Sequence, residues 1–234
     1  MNFSKKNHDF HKRNRKFMSK NQIFKVATVL FIGLATVGCK DAKNKTEASE
    51  AEDVAKTTSE AAVYKADIDG SILAWKGAKL TGTHNGTIKM SEGSFTVEDG
   101  KLVGGNFIVD MNSITVLDIE DAEKNGNLTG HLKSEDFFDV ENHGNSAFAI
   151  TGVEEKDGKT FVKGNLTVKN IKKNIEFPAV ITVSDTEVSL KSEPFTIDRT
   201  EWDIKYKSGK FADLAKDKLI EDNIELQVEV KATK

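Results

Sequence analysis

Hydrophobic and polar residues alternate with a period of two over most of the chain after residue 64. The last segment is the clearest case, because apolar side chains occupy every second position from residue 224 to residue 230. This alternation is typical of a β-strand with one buried face. Similar segments predict roughly eight to ten mostly antiparallel strands; they lie at residues 73–75, 95–97, 103–111, 148–150, 162–168 and 175–183.

Two Asp-Gly pairs separate strand-like segments and predict tight hairpins. Asp157-Gly158 lies between residues 147–155 and 160–170, and Asp99-Gly100 lies between two shorter apolar segments. Glycine accepts the positive φ that such turns require, so each pair favours antiparallel neighbours.

Residues 119–138 and 209–218 break the alternation and predict short helices, the first being the stronger candidate. A β-rich chain of this length with one helical insertion is typical of a barrel or a sandwich. A closed barrel of eight strands has no free edges and can hold one small ligand inside.

Residues 26–37, VATVLFIGLATV, form an uncharged and mostly apolar run of 12 residues. A helix needs about 20 apolar residues to span a bilayer, so this run is too short and instead fits the hydrophobic part of a secretory signal. Basic residues precede it, as in such signals. The pattern predicts a signal peptide over residues 1–38, with Met1 or Met18 as the start.

The only cysteine, Cys39, follows Gly38 at the end of this run. The arrangement resembles a bacterial lipoprotein signal, although Thr36 stands where such signals usually have Leu. We therefore expect acylation of Cys39 and a membrane anchor in the bacterial envelope, with the protein facing the periplasm or the cell surface. The alternative is an ordinary signal peptide followed by a chance cysteine.

Residues 40–63 contain no aromatic side chain and show no sustained apolar stripe. A segment of this composition buries too little surface to offset the entropy lost on ordering. We expect a flexible, acidic and Ala-rich tether over residues 39–63, followed by one domain over residues 64–234.

The net charge of −3 combines two opposite segments. Residues 1–38 contain 8 of the 34 basic residues and one of the 37 acids, which leaves 26 basic and 36 acidic residues and a net charge of −10. Nucleic-acid binding needs a basic face, so nucleic acid is a poor candidate partner.

Enzyme motifs are missing from the sequence. The domain has no cysteine, and its three histidines, His84, His131 and His143, do not follow a metal-binding spacing such as HxH or HExxH. No nucleophile elbow, phosphate loop or dinucleotide fingerprint occurs. We expect no catalysis, cofactor or metal, while the meeting of distant histidines in space stays open.

Three segments carry a family resemblance: HLKSEDFFDVENHGNSAF at 131–148, GNLTVKNIKKNIEFP at 164–178 and FTIDRTEWDI at 195–204. Together with Trp75, Gly93 and Phe95 they resemble the YceI family of polyisoprenoid-binding, lipocalin-like proteins, over about residues 64–233. The resemblance implies an all-β fold, an eight-stranded antiparallel lipocalin-like barrel with a short helical insertion and an elongated apolar cavity. It also implies a long isoprenoid-like lipid as ligand, with a quinone as one candidate, a periplasmic or secreted location, and a plausible homodimer.

A barrel that holds a lipid chain needs apolar walls, since each unpaired buried polar atom costs about 1–3 kcal/mol. The alternative for each aromatic residue is ordinary packing in a core. Adjacent Phe137 and Phe138 point in different directions on a strand or a helix, so we expect one of them to face a cavity or its mouth. The predicted lipid-binding residues are Trp75, Phe107, Phe137, Phe138, Phe148, Phe177 and Trp202.

Arg199 is the candidate for binding a polar head group, and its alternative role is a structural salt bridge with a nearby acid. Asp198, Arg199 and Thr200 interrupt the alternation on either side, which predicts a β-bulge.

The sequence thus favours non-catalytic binding, storage or transport of a long-chain isoprenoid-like lipid in the envelope. Two other classes stay open: a structural or adhesive surface lipoprotein with a filled barrel, and an envelope enzyme whose site is assembled from distant residues.

Overall fold

The computed structural model describes residues 44–54, 56–58 and 60–234. The predicted signal peptide over residues 1–38 and the predicted acylation site Cys39 lie outside the described residues. Residues Lys40–Lys234 form a compact unit of their own. No helix within the described part of the chain is long and apolar enough to cross a membrane.

The described residues contain ten strands, one α-helix and three short 3₁₀ helices. The α-helix, α1, spans Ala122–Lys133, and the 3₁₀ helices span Met111–Ser113, Arg199–Trp202 and Lys216–Lys218. The strands are β1 Ala62–Ala66, β2 Ile72–Lys79, β3 Gly82–Glu98, β4 Lys101–Asp110, β5 Asn145–Lys156, β6 Lys159–Val168, β7 Ile171–Val183, β8 Glu187–Ser192, β9 Phe195–Asp198 and β10 Asn223–Thr233.

The strands close into an antiparallel ring. Consecutive strands pair from β2 to β8, and β10 completes the ring because it pairs with β2 on one side and with β8 on the other. β1 and β2 both pair with β3 and β10, so they are two parts of one interrupted strand. β8 and β9 likewise continue along β10. The ring therefore has eight strand positions, which confirms the predicted eight-stranded antiparallel barrel.

Both predicted Asp-Gly hairpins are present. Asp99 and Gly100 have φ values of 51° and 72°, and Asp157 and Gly158 have φ values of 51° and 74°. Positive φ at both central residues is the geometry of the hairpin turns that match strand twist. These turns join β3 to β4 and β5 to β6.

The helical insertion is confirmed between β4 and β5. α1 begins after Asp121, whose side chain accepts a hydrogen bond of 2.9 Å from the Lys124 backbone N–H. Such an N-cap satisfies one of the free donors of the first turn. In the second predicted helical segment the structure has only the 3₁₀ helix Lys216–Lys218.

The predicted β-bulge at residues 198–200 is wrong. β9 ends at Asp198, and a 3₁₀ helix follows over Arg199–Trp202. The Asp198 carboxylate accepts hydrogen bonds from the Thr200 backbone N–H at 3.0 Å and from its hydroxyl at 2.6 Å. This capping by Asp198, rather than an extra residue in the strand, ends the alternation.

The structure differs from the expected flexible tether in residues 44–54, which we call the strap. The Thr46 N–H donates to the Thr196 carbonyl at 2.9 Å, and Ser49 and Asn174 exchange backbone hydrogen bonds of 2.9 and 3.0 Å. Further along, Glu52 exchanges bonds of 3.0 and 2.7 Å with the Asn165 side chain. The strap thus lies against the outside of the barrel through polar pairing, which does not need the apolar surface that its sequence lacks.

Candidate functional site

The inside of the barrel contains two adjacent apolar cavities. The outer cavity, of about 330 Å³, lies at the end of the barrel that carries α1 and is lined by half-exposed groups such as His84 and His131. The inner cavity, of about 90 Å³, lies deeper among aromatic and aliphatic side chains. The outer cavity therefore provides the mouth, and the inner cavity extends it toward the middle of the barrel.

All seven predicted lipid-binding residues line one of these cavities. The outer cavity is lined by four of them: Trp75, Phe137, Phe138 and Trp202. The inner cavity is lined by the other three: Phe107, Phe148 and Phe177. The structure thus brings the seven residues to two connected surfaces, and their contact with a lipid stays a prediction.

Four aliphatic side chains line both cavities, and we call this shared part of the wall the neck. They come from four different strands, β2, β4, β6 and β10. The alternating pattern contains the signal that places all four of them on inward faces, but sequence reasoning selected only aromatic residues as wall candidates. The neck residues are Leu73, Val109, Leu166 and Leu226.

Buried aromatic rings line the inner cavity, and we call the group of Phe95, Phe107, Phe177 and Phe195 the floor. Phe177 and Phe195 stack with ring centroids 4.4 Å apart, and Phe95 meets Phe107 edge-on at 5.0 Å. Phe95 and Phe195 are 0% and 2% exposed. Such pairs add about 0.5–1.5 kcal/mol beyond the burial of their area, so the ring contacts stabilise the floor.

Gly164 provides the space for the ring of Phe148, which also lines the inner cavity. A Cβ atom on Gly164 of β6 would lie 2.2 Å from the Phe148 ring and 2.8 Å from the Ala149 carbonyl oxygen. The Phe148 ring therefore covers the Gly164 backbone, and any larger residue there would displace the wall of the inner cavity.

An aromatic cluster borders the mouth. The His131 ring meets Phe137 edge-on at 5.0 Å and Tyr206 at 4.9 Å, and its Nε2 atom lies 2.9 Å from Asp136 Oδ2. Sequence reasoning considered His131 only as a metal ligand, and it did not select Tyr206. No local pattern in the sequence predicts the contact between His131 and Tyr206, because these residues are far apart in the chain.

Two buried polar atoms in the wall of the outer cavity have no hydrogen-bond partner within the described residues: Trp75 Nε1 and Ser146 Oγ. Both side chains are less than a tenth exposed. Unpaired polar atoms are rare in protein interiors, since each costs about 1–3 kcal/mol. Both atoms are themselves buried, so neither presents a free hydrogen-bonding group to the interior of the cavity.

Arg199, the predicted head-group residue, is 1% exposed and also lies in the wall of the outer cavity. Its guanidinium donates to the carbonyl oxygens of Ile204 at 2.6 Å and of Ile220 and Glu221 at 3.1 Å. Its Nη2 atom lies 3.4 Å from Asp222 Oδ1. Burial lowers the pKa of Arg199, and the charge of Asp222 acts in the opposite direction. The geometry favours the structural alternative, because most of its donors hold the backbone around it.

The three histidines of the domain pair separately with carboxylates. His84 Nδ1 lies 2.8 Å from Asp118 Oδ2, His131 pairs with Asp136, and His143 Nε2 lies 3.7 Å from Asp139 Oδ2. Within the part of the chain that the structure describes, no three His, Cys, Asp or Glu side chains are grouped closely enough to hold a metal ion.

The chain belongs to the YceI-like family, because the model of the YceI-like domain matches residues 64–232, which is nearly the whole barrel. This confirms the resemblance seen in the sequence. No curated protein matches the chain significantly.

Two solved structures support the fold. BcnA of Burkholderia cenocepacia superposes with a TM-score of 0.57 at 16% identity, covering 72% of this chain and 99% of BcnA. A polyisoprenoid binding domain from Saccharophagus degradans, implicated in plant cell wall breakdown, superposes with a TM-score of 0.51 at 14% identity, covering 73% of this chain and 97% of that domain. At these identities the likeness establishes the common barrel.

Proposed function

We propose that this barrel binds a long-chain isoprenoid-like lipid, without catalysis, and stores or carries it in the bacterial envelope. The observation that carries the proposal is the apolar outer cavity of about 330 Å³, which shares the neck residues with a second apolar cavity. Membership of the YceI-like family and the name of the Saccharophagus domain support an isoprenoid as the class of ligand.

The binding energy would come from removing the chain of the ligand from water. Each buried methylene contributes about 0.8 kcal/mol, and aromatic walls add dispersion contacts. The outer cavity is at the small end of the range of about 300–1,000 Å³ that ligand pockets occupy. It therefore accommodates the head and the first part of a lipid, while the tail continues through the neck.

The polar end of the lipid would lie in the outer cavity or at its mouth. The side chains of His131 and Tyr206 border the opening and carry polar groups. A quinone fits this arrangement, because its ring can pack on aromatic side chains and its carbonyl oxygens accept hydrogen bonds.

We further propose that acylation of Cys39 anchors the protein in the envelope membrane. Five peptide units separate Cys39 from Asn44, where the strap begins, and five residues span at most about 18 Å. Because the strap lies on the barrel, the docked protein would stay much closer to the membrane than a flexible tether of 25 residues would allow. A membrane lipid could then reach the mouth over a short distance.

Tryptophan fluorescence provides a direct test. The two tryptophans of the chain, Trp75 and Trp202, both line the outer cavity, so a bound quinone should quench their emission. Titration of residues 40–234 with a prenylated quinone should give saturable quenching with one equivalent of ligand. The same quinone ring without a tail should quench only weakly and without saturation. Equal, unsaturable quenching by both compounds would contradict binding in the barrel.

A further inference from the structure

The neck divides the interior into two parts of unequal size. Leu73, Val109, Leu166 and Leu226 contact both the outer cavity and the inner cavity, whereas Leu132 lines only the outer one and Leu190 only the inner one. A chain that extends from the outer cavity into the inner cavity would therefore lie against these four side chains.

Three of the four neck side chains are less buried than the floor. Leu73, Leu166 and Leu226 are each half-buried, whereas the floor residues Phe95 and Phe195 are almost completely buried. Leucine rotamers can move to admit a narrow hydrocarbon chain, and the stacked rings of the floor resist displacement. The neck should therefore yield more readily to a ligand than the floor does.

From this geometry we propose that the neck and the floor together select the tail length of the isoprenoid. The proposal rests on the proposed lipid-binding function and adds a specificity-determining role for Leu166 and Leu226. A tail that reaches the floor gains contacts in both cavities, and each further buried methylene strengthens binding about fourfold. A longer tail finds no further space beyond Phe177 and Phe195, so its additional units stay in water or force the chain to fold back.

A chain of methyl-branched units suits the neck, because all four neck side chains are aliphatic and present an apolar surface to it. The inner cavity has only about 90 Å³, which is small beside the outer cavity. The inner cavity therefore accepts the end of a tail rather than a head group. Its described lining contains only apolar residues, so a polar or charged end would be disfavoured there.

The test is a set of affinities for quinones that share one head group and carry tails of increasing length. For residues 40–234 we expect affinity to rise about fourfold per methylene that becomes buried and then to stop rising when the tail reaches the floor. The measured quantity is the ratio of the affinities for a long and a short tail, which does not depend on the head group.

Substitutions in the neck should change this ratio. Leu166→Phe should narrow the neck, so that long and short tails bind with similar affinity. Leu166→Ala should instead raise the ratio of long-tail to short-tail affinity by about tenfold for the longest tails. This change equals the burial of one to two further methylenes. Leu226→Phe narrows the neck from another strand and replaces the first variant if that one does not fold. Leu132→Ala is the matched control, because it removes the same atoms from the outer cavity and should weaken all tails equally.

The outcomes separate the two proposals. Binding of no member of the series, including the short-tailed quinones, overturns both the proposed function and the neck. The tail-length proposal fails if affinity keeps rising with tail length across the whole series. It also fails if both Phe variants retain the native ratio. In either case the lipid-binding function still stands. A change of the ratio in Leu132→Ala as large as in Leu166→Ala also overturns the tail-length proposal.

Discussion

The guanidinium of Arg199 lies 3.4 Å from the carboxylate of Asp222 and joins the 3₁₀ helix after β9 to the segment that leads into β10. The arginine side chain is 1% exposed, so its charge is held almost entirely by the protein. The side chain lies in the wall of the outer cavity, and its hydrogen bonds to three backbone carbonyl groups hold the segments around it together.

Replacing Arg199 should therefore reduce stability before it affects any ligand. We expect Arg199→Ala to lower the free energy of unfolding by about 3–5 kcal/mol, because it leaves Asp222 and several carbonyl groups without their partner. Arg199→Lys should recover only part of this loss, since an ammonium group cannot reproduce the planar fork. Urea titration of residues 40–234 measures both values. A stable Arg199→Ala protein that has lost only lipid binding would instead support the head-group role.

Phe138 offers a test of the outer cavity itself. The side chain is half-buried and lines the outer cavity, so Phe138→Asp places a carboxylate where the lipid is expected to pack. We expect lipid affinity to fall by more than about tenfold while the melting temperature changes little, since an unpaired charge in an apolar site is strongly unfavourable. The control is Leu117→Asp, because Leu117 is 64% exposed and does not line either cavity. Unchanged uptake by a folded Phe138→Asp protein would count against this site.

Gly164 should tolerate no larger residue as long as Phe148 covers it. Gly164→Ala places a methyl group in contact with both the Phe148 ring and a backbone carbonyl, and we expect a loss of about 1–3 kcal/mol in the free energy of unfolding. Adding Phe148→Leu to the Gly164→Ala protein should recover the part of the lost stability that comes from the clash with the Phe148 ring. Additive effects of the two substitutions in urea titrations would show that the ring and the glycine are not coupled.

The pH dependence of stability should contain a contribution from Asp198. Burial raises the pKa of this carboxyl group, but hydrogen bonds from Lys210 and Thr200 outweigh burial and hold the pKa below its ordinary value of 3.8. A lowered pKa in the folded state stabilises the fold above pH 3.8, and this stabilisation is lost as the pH falls through the folded pKa.

Asp198→Asn should therefore lower stability at neutral pH and make stability less dependent on pH below 3.8. Thermal melts of both proteins across the acidic range measure the difference. Parallel curves for the two proteins below that pH would show that Asp198 does not contribute to the acid transition.

The strap makes a further prediction about residues 44–54. Asn174 is 4% exposed and donates to Thr151 at 3.0 Å and to Asn165 at 3.1 Å beneath the strap. We expect removal of residues 40–54 to destabilise the barrel by about 1–3 kcal/mol, because Asn165 loses its partner Glu52. Hydrogen exchange at the amides of Thr46 and Ser49 should be slow in the intact chain. Fast exchange there, with unchanged stability of the truncated chain, would support the flexible tether that the sequence predicts.

The alternation predicted a barrel or a sandwich, because the strands have one solvent-exposed and one buried face, and the family resemblance implied the barrel. Leu226 and Val228 follow this alternation, and Asp157-Gly158 supplies a turn that few other residue pairs can adopt. The period of two also places Trp75 and Phe177 on inward faces. The family resemblance added the number of strands, which the alternation alone left between eight and ten.

The remaining features depend on contacts between distant residues. The docking of the strap arises from hydrogen bonds to Asn165 and Asn174, and composition alone gave no sign of it. The same limit applies to Arg199, whose partners Ile220 and Asp222 follow it by more than 20 residues. The neck was missed for another reason, since Leu166 has the ordinary appearance of a core leucine and only the shape of the interior distinguishes it.

Native mass spectrometry tests the central claim most directly. The protein is residues 40–234 purified from a bacterial envelope without detergent, and the bound material is then extracted with solvent and identified. We predict one lipid per chain, with masses that differ by whole isoprene units. A protein that carries no lipid, and that stays unbound after incubation with quinones and polyprenols, would contradict the proposed function and would favour a barrel whose interior serves only its own stability.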